Sequence, residues 1–239
     1  MYDIKGILLD SGRVLNVSAT GHWHITPNFF SYVDKGKFYS LSSSARKSAF
    51  NKAGEYINKQ NLIMDEAEEY KHFLRYYEIF STCLPELKLE KEAVESIAKD
   101  HVYNYSKYTF FSDVYEVIPE LSKHYKLAVV SDAWPSLENV FKAAGLRDYF
   151  SSFVISSKKG VTKPNELMYK TALEELHIKS EEAIFIDDSI LNCKGALKLG
   201  ITSFVMCRDK RLYRYNKLFN RKYKPINNLL NLKNILIRS

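Results

Sequence analysis

Cysteine is scarce in this 239-residue chain, with only Cys83, Cys193 and Cys207. Their spacing matches neither a metal-ligand nor a redox pattern, and an odd number does not make a complete disulfide framework. Reduced thiols in a cytosolic protein fit that usage. The opening residues Met1-Tyr2-Asp3-Ile4-Lys5 show no basic-then-apolar leader. No apolar run approaches the roughly 20 residues that a bilayer span requires. A cytoplasmic location with no membrane partner is therefore expected. Internal repeats and low-complexity linkers are also missing.

What is present is a chain that can build a core. Apolar residues make up 46% of it, which argues against global disorder. The length allows one large domain or a domain with an insertion. The net charge is +7. Much of the basic weight falls late, in Arg208, Lys210, Arg211, Arg214, Lys217, Arg221, Lys222 and Lys224, interleaved with Tyr213, Tyr215 and Phe219. Such a stretch has the composition of a nucleic-acid contact. A solvated face of a Lys-rich protein is the preferred account, and nucleic acid is not an expected partner. A positive field also draws anionic metabolites toward a cleft.

Strand-like apolar runs recur at 4–10, 127–132, 153–156, 183–187 and 202–207. From the second run on they alternate with helical patterns at 136–144, 166–176 and 190–199, the first stopped by Gly145 and the last by Gly200. This alternation predicts βαβ units and a doubly wound parallel sheet. Between the first two strands, residues 17–110 show helical periodicity. Ala49, Ala53 and Ile57 mark one helix, and Tyr70, Phe73, Tyr77 and Phe80 a second. Val94, Ile97, Ala98 and Val102 mark a third. Asp65 with Glu68 reads as an Asp variant of the capping box. The stretch is too long for a loop and predicts an inserted helical domain.

The run Ile7-Leu8-Leu9 ends in Asp10, and Ala183-Ile184-Phe185-Ile186 ends in Asp187-Asp188. Ligands bind at the carboxyl ends of strands in a parallel sheet. Acids brought together there repel one another unless a cation sits among them. The pattern points to a Mg²⁺ site with a carboxylate free for chemistry.

Four segments in order resemble the haloacid dehalogenase-like hydrolase superfamily. They are Leu8-Leu9-Asp10-Ser11-Gly12-Arg13-Val14-Leu15, Leu127-Ala128-Val129-Val130-Ser131-Asp132, Lys163-Pro164, and Ile184-Phe185-Ile186-Asp187-Asp188-Ser189 with Asn192, Gly195, Ala196 and Gly200. The resemblance implies a Rossmann-like core of residues 1–16 and 108–239 with a helical cap of residues 17–107. It implies Asp10 as nucleophile. Mg²⁺ would be held by Asp10, the Gly12 carbonyl and Asp188, with Asp187 acting through water. Ser131 would bind a phosphoryl oxygen, and Lys163 would balance the charge of the nucleophile and its substrate.

One departure matters. Most phosphatases of the family carry a second Asp two residues after the nucleophile, as acid and base; this chain has Gly12. Proton transfer of that kind contributes about 10²–10⁴-fold. Three readings follow. The first is a phosphatase acting on a small phosphorylated metabolite whose leaving group departs easily; some sugar-phosphate phosphatases of the family similarly carry Asp-x-Gly. The second is a non-catalytic binding protein that keeps the scaffold. The third is a carbon–halogen hydrolase, against which the acid pair counts. His22 or His24 is a candidate substitute acid, with packing of the hinge as the alternative. Arg13, Asp132 and Trp134 complete the candidate substrate-binding set with Ser131, Lys163 and His22. A monomer or a homodimer is expected.

Overall fold

The computed structural model describes residues 3–237, without the side chain of Arg221. Residues 1, 2, 238 and 239 of the expected core lie outside the described residues. The chain forms two compact units. Among the described residues, one comprises 3–17, 110–133 and 144–237, and the other 18–109 and 134–143.

The first unit is built on five strands: β1 (Gly6–Leu9), β2 (Lys126–Ser131), β3 (Ser152–Ile155), β4 (Ala183–Asp187) and β5 (Thr202–Val205). Their order in the sheet is β3-β2-β1-β4-β5, and every pairing is parallel. The strands follow the predicted apolar runs to within two residues at either end, and β4 matches its run throughout, with Asp187 still paired to Val205. Leu9 pairs with Val129 on one side and Ile186 on the other. Ile7, Leu8 and Leu9 are all fully buried, as expected for a central parallel strand covered on both faces. Helix Glu166–Leu176 contributes Met168, Tyr169, Ala172 and Leu173 to a cluster with Leu8, Ala128, Val130 and Phe185. Helix Ile190–Lys198 packs on β4 and β5. The order runs outward from β1 to β3, then returns to place β4 beside β1. That reversal opens a crevice at the carboxyl ends of β1 and β4, where Asp10 and Asp187 stand.

The second unit is helical. Helices Ser43–Ile57, Glu66–Cys83 and Lys91–Tyr103 enclose a core that includes Phe29, Phe38, Phe73, Tyr76, Tyr77 and Phe80. Tyr76, absent from the predicted stripe, is fully buried, and Tyr70 is only partly so. The reason is the helical period: Tyr76 lies three residues from Phe73 on the same face. Asp65 Oδ1 accepts the Glu68 N–H at 2.8 Å, but Glu68 returns its bond to the Met64 N–H rather than to Asp65. The expected helix at 136–144 forms over Leu137–Ala143 and clusters with this unit. Its start is held by a buried network. Ser136 gives its N–H and hydroxyl to the Glu69 carboxylate at 2.7 and 2.6 Å, and its hydroxyl accepts from Lys107 Nζ at 2.6 Å.

The basic late segment folds in part into helix Lys210–Phe219, which buries Asn216 and exposes Leu212, Tyr215, Leu218 and Phe219. Among the described residues no helix is long and apolar enough to cross a membrane.

Candidate active site

Asp10 follows β1 directly, and its N–H donates to the Ile186 carbonyl of β4 at 2.9 Å. The first acid is thus stitched to the strand that carries the second. Asp10, Asp187 and Asp188 each offer a carboxylate oxygen within 4.8 Å of the others. Lys163 Nζ lies 2.6 Å from Asp10 Oδ1 and 2.7 Å from Asp187 Oδ2, and its side chain is almost completely buried. One ammonium therefore faces three carboxylates. The Asp10 carboxyl is raised to about 7, chiefly by burial and further by Asp187 and Asp188, against the opposing pull of Lys163. Burial also raises Asp188, assisted by Asp187 and opposed by Arg13. Burial alone would lower Lys163, but the attraction of Asp10 and Asp187 outweighs it and the ammonium is held charged.

The three acids differ in how many oxygens remain free. Asp187 is fully buried and both of its oxygens are engaged. Oδ1 accepts from the Ser189 N–H at 2.7 Å and Asn192 Nδ2 at 3.1 Å; Oδ2 accepts from Lys163 and, at 3.1 Å, again from Asn192. Asp10 gives only Oδ1 to Lys163. Asp188 has one loose partner, Arg13 Nη1 at 3.4 Å. The Gly12 carbonyl accepts no hydrogen bond from a described residue. Asp10, Asp188 and Gly12 thus have oxygens to spare beside an uncompensated negative charge. A hard, oxygen-seeking divalent cation such as Mg²⁺ fits that donor set.

Two features place Lys163. The Asp132 carboxylate accepts the Lys163 N–H at 2.9 Å. Asp132 thus anchors the lysine loop. Gly195 faces the same loop from helix Ile190–Lys198: a Cβ there would stand 2.6 Å from Pro164 Cβ and 3.0 Å from the Tyr169 hydroxyl. Only hydrogen at that position lets helix and loop approach so closely. Ser131 ends β2, is 3% exposed, and its hydroxyl bonds to no described group. The nearby Ala133 N–H is taken by Ser156 Oγ at 3.0 Å.

His22 and Trp134 lie in the helical unit. His22 Nδ1 accepts the His24 N–H at 3.2 Å, and its ring centroid is 4.5 Å from that of Phe50. Burial lowers the imidazole of His22; it also lowers that of His24, to about 4, with a smaller push from His22. Burial thus works against the charged form of either ring. Trp134 packs edge-on against Phe73, with ring centroids 5.4 Å apart.

The sequence reading gave no role to Asn192, although it quoted the residue with the acid pair. It counts Arg208 only among the late basic residues and does not name Asp113. Arg208 lies over the Phe111 ring at 4.0 Å, donates to Asp113 at 2.6 Å and to the Val14 carbonyl at 2.6 Å, and so braces the turn after Asp10. No local signal pairs residues so far apart; a buried Asp in the first turn of helix Ser112–Leu121 was the one hint.

A sequence profile described as haloacid dehalogenase-like hydrolase matches residues 1–206. The chain is 29% identical over 136 residues to glyceraldehyde 3-phosphate phosphatase of Methanopyrus kandleri, covering 53% of this chain and 54% of that protein. It is 26% identical over 174 residues to the protein of the same name from Pyrococcus furiosus, covering 67% and 71%. The match thus spans about half the length of the first relative. Among solved structures, a HAD phosphatase from Thermococcus onnurineus superposes with a TM-score of 0.66 at 20% identity, covering 98% of each chain. L-2-haloacid dehalogenase from Xanthobacter autotrophicus, with chloropropionic acid covalently bound, gives 0.62 at 18%, covering 99% of each. At such identities the likeness establishes the fold, which phosphatases and dehalogenases share.

Proposed function

This chain belongs to the haloacid dehalogenase-like hydrolase family, and from that premise we propose that it is a Mg²⁺-dependent phosphatase of a small phosphorylated metabolite, with Asp10 as nucleophile. The observation that carries this reading is the set of spare oxygens on Asp10, Asp188 and Gly12 around a charge that Lys163 alone does not balance. Halide displacement gains nothing from such a cage. The phosphatase names of the two archaeal relatives support the same direction.

In this reading an Asp10 carboxylate oxygen attacks phosphorus. The bond to the leaving oxygen breaks as the bond to Asp10 forms, giving an acyl phosphate. Water then attacks phosphorus, releases phosphate and restores the carboxylate. Asp10, Asp188 and the Gly12 carbonyl would hold Mg²⁺, which offsets the repulsion between carboxylate and anionic substrate. Asn192 and Ser189 fix Asp187 behind that set. Lys163 stays on Asp10 Oδ1 and contributes a compact positive charge to the incoming phosphoryl group. The Ser131 hydroxyl donates to a phosphoryl oxygen. Residues 17–107 are read as the domain that selects the substrate.

Gly12 supplies no acid, so the favoured substrates are those whose leaving group departs without a proton, such as acyl phosphates and sugar 1-phosphates. The same residue motivates the second reading, a binding protein on this scaffold. A panel of phosphorylated sugars, nucleotides and small acids, with and without Mg²⁺, separates the two. Mg²⁺-dependent phosphate release that Asp10→Asn abolishes supports the enzyme. Failure of every panel member, with tight macromolecular binding, supports the alternative.

A further inference from the structure

Arg13 adopts φ +59°, a left-handed conformation that glycine and asparagine tolerate far better than arginine. Of the four other non-glycine residues with positive φ, Lys88 and His177 end helices, where that conformation is ordinary, and Leu62 and Lys224 lie in loops far in sequence from the acid cluster. Arg13 ends no helix; it sits three residues after Asp10. The turn around it is locked. Its N–H donates to the Asn16 carbonyl at 2.6 Å, the Ser11 carbonyl accepts from Leu15 and Asn16 at 2.8 and 3.1 Å, and Arg208 holds the Val14 carbonyl. The backbone thus imposes the conformation, and the side chain does nothing for folding that would offset it. It is 65% exposed, and its one described partner is Asp188 at 3.4 Å. That contact is long for a charge-assisted hydrogen bond. Most of the five guanidinium N–H donors remain uncommitted, one carboxylate away from the proposed nucleophile.

We propose that Arg13 is a specificity-determining residue that binds a second, non-transferred anionic group of the substrate, so that the preferred substrates carry a carboxylate or a further phosphate beside the phosphoryl group to be removed. This rests on the reading that Asp10 receives the phosphoryl group. Once Asp188 is committed to a cation, the guanidinium loses its partner, and its planar fork matches a carboxylate or phosphate in bidentate fashion. A strained backbone that holds an unused cation at the edge of an acid cluster is the signature of a binding group.

The test compares glucuronate 1-phosphate with glucose 1-phosphate, which share an anomeric leaving group but differ in the carboxylate, in the wild type, Arg13→Gly and Arg13→Asn. Both replacements suit the turn, and thermal melts check that they fold. We expect KM for glucuronate 1-phosphate to rise about ten- to a hundredfold, the worth of a charged hydrogen bond, with kcat and the glucose 1-phosphate constants little changed. Calorimetric titration of phosphonoacetate and methylphosphonate in Mg²⁺ gives a readout without turnover. Wild type and Asp10→Asn should both prefer phosphonoacetate, and Arg13→Gly should lose that preference. Equal effects on both members of a pair, or none on either, would overturn the proposal for Arg13. Turnover that survives Asp10→Asn would instead overturn the reading of the nucleophile, whatever the phosphonate preference.

Discussion

Lys163 sets its ammonium 2.6 Å from Asp10 Oδ1 across 153 residues of sequence. The same nitrogen reaches Asp187, so one buried cation joins the carboxyl ends of two neighbouring strands. Removing one partner of a buried ion pair costs about 3–5 kcal/mol, because the remaining charge is stranded. Lys163→Met is therefore expected to lower the melting temperature by several degrees and to abolish turnover. Lys163→Arg should not restore activity, since a planar guanidinium does not replace a compact ammonium at this spacing. Thermal melts with and without Mg²⁺ check the first part: the ion should recover part of the loss in Lys163→Met.

The raised Asp10 carboxyl has a consequence for pH. Its folded value, about 7, lies above the ordinary carboxylate value near 4. Between those limits the folded protein binds more protons than the unfolded chain, so this group makes stability fall as pH rises through that window. Metal-free protein should therefore lose part of its stability between about pH 4 and pH 7. Mg²⁺ should add more to the melting temperature at pH 8 than at pH 5, because it binds the ionised cluster. Scanning calorimetry at the two pH values, with and without the ion, measures the difference. An equal gain at both would show that the cluster is not the binding site.

Gly195→Ala tests the approach of helix Ile190–Lys198 to the lysine loop. The added methyl would meet the Pro164 ring carbon at 2.6 Å, and a proline cannot rotate away. A cost of about 1–3 kcal/mol is expected, as for overpacking in a core. Because Pro164 follows Lys163, the shift should reach the ammonium. Turnover should fall by more than the loss of folded protein explains. Stability and kcat measured on one preparation separate the two effects.

Arg208→Met removes the brace on the turn that carries Arg13. It leaves Asp113 with the Leu229 N–H as its remaining partner for Oδ2. A loss of about 3 kcal/mol is expected from the stranded carboxylate. The Val14 carbonyl also loses its donor. Chemical denaturation measures the first effect, and Mg²⁺ titration reports whether the Gly12 carbonyl moves with the turn.

Much of this was legible in the chain because the fold translates pattern into place. Four apolar runs end in Asp10, Ser131, Asp187 and the approach to Cys207, and a parallel sheet lines such endings up on one edge. Lys163 was legible from the resemblance alone; its polar neighbours Lys159, Thr162 and Asn165 give no sign that this lysine is the buried one. Gly195 was legible as part of a motif but not as a contact, since the distance to Pro164 depends on how two elements pack. The pairing of Asp113 with Arg208 was invisible because it is set by tertiary packing. His22 and His24 were legible as titratable groups, yet burial among Phe50, Tyr76 and His101 decides their protonation. Tyr76 lies outside the predicted stripe because a step of three or four from Phe73 reaches either Tyr76 or Tyr77, and the fold buries both.

The most direct measurement is rapid-quench mass spectrometry of the peptide that contains Asp10, taken during turnover of acetyl phosphate in the presence of Mg²⁺. The account predicts a transient phosphoryl adduct on Asp10 that forms and decays at the rate of phosphate release. Phosphate release with Asp10 unmodified at every time point, or an adduct on another residue, would contradict it.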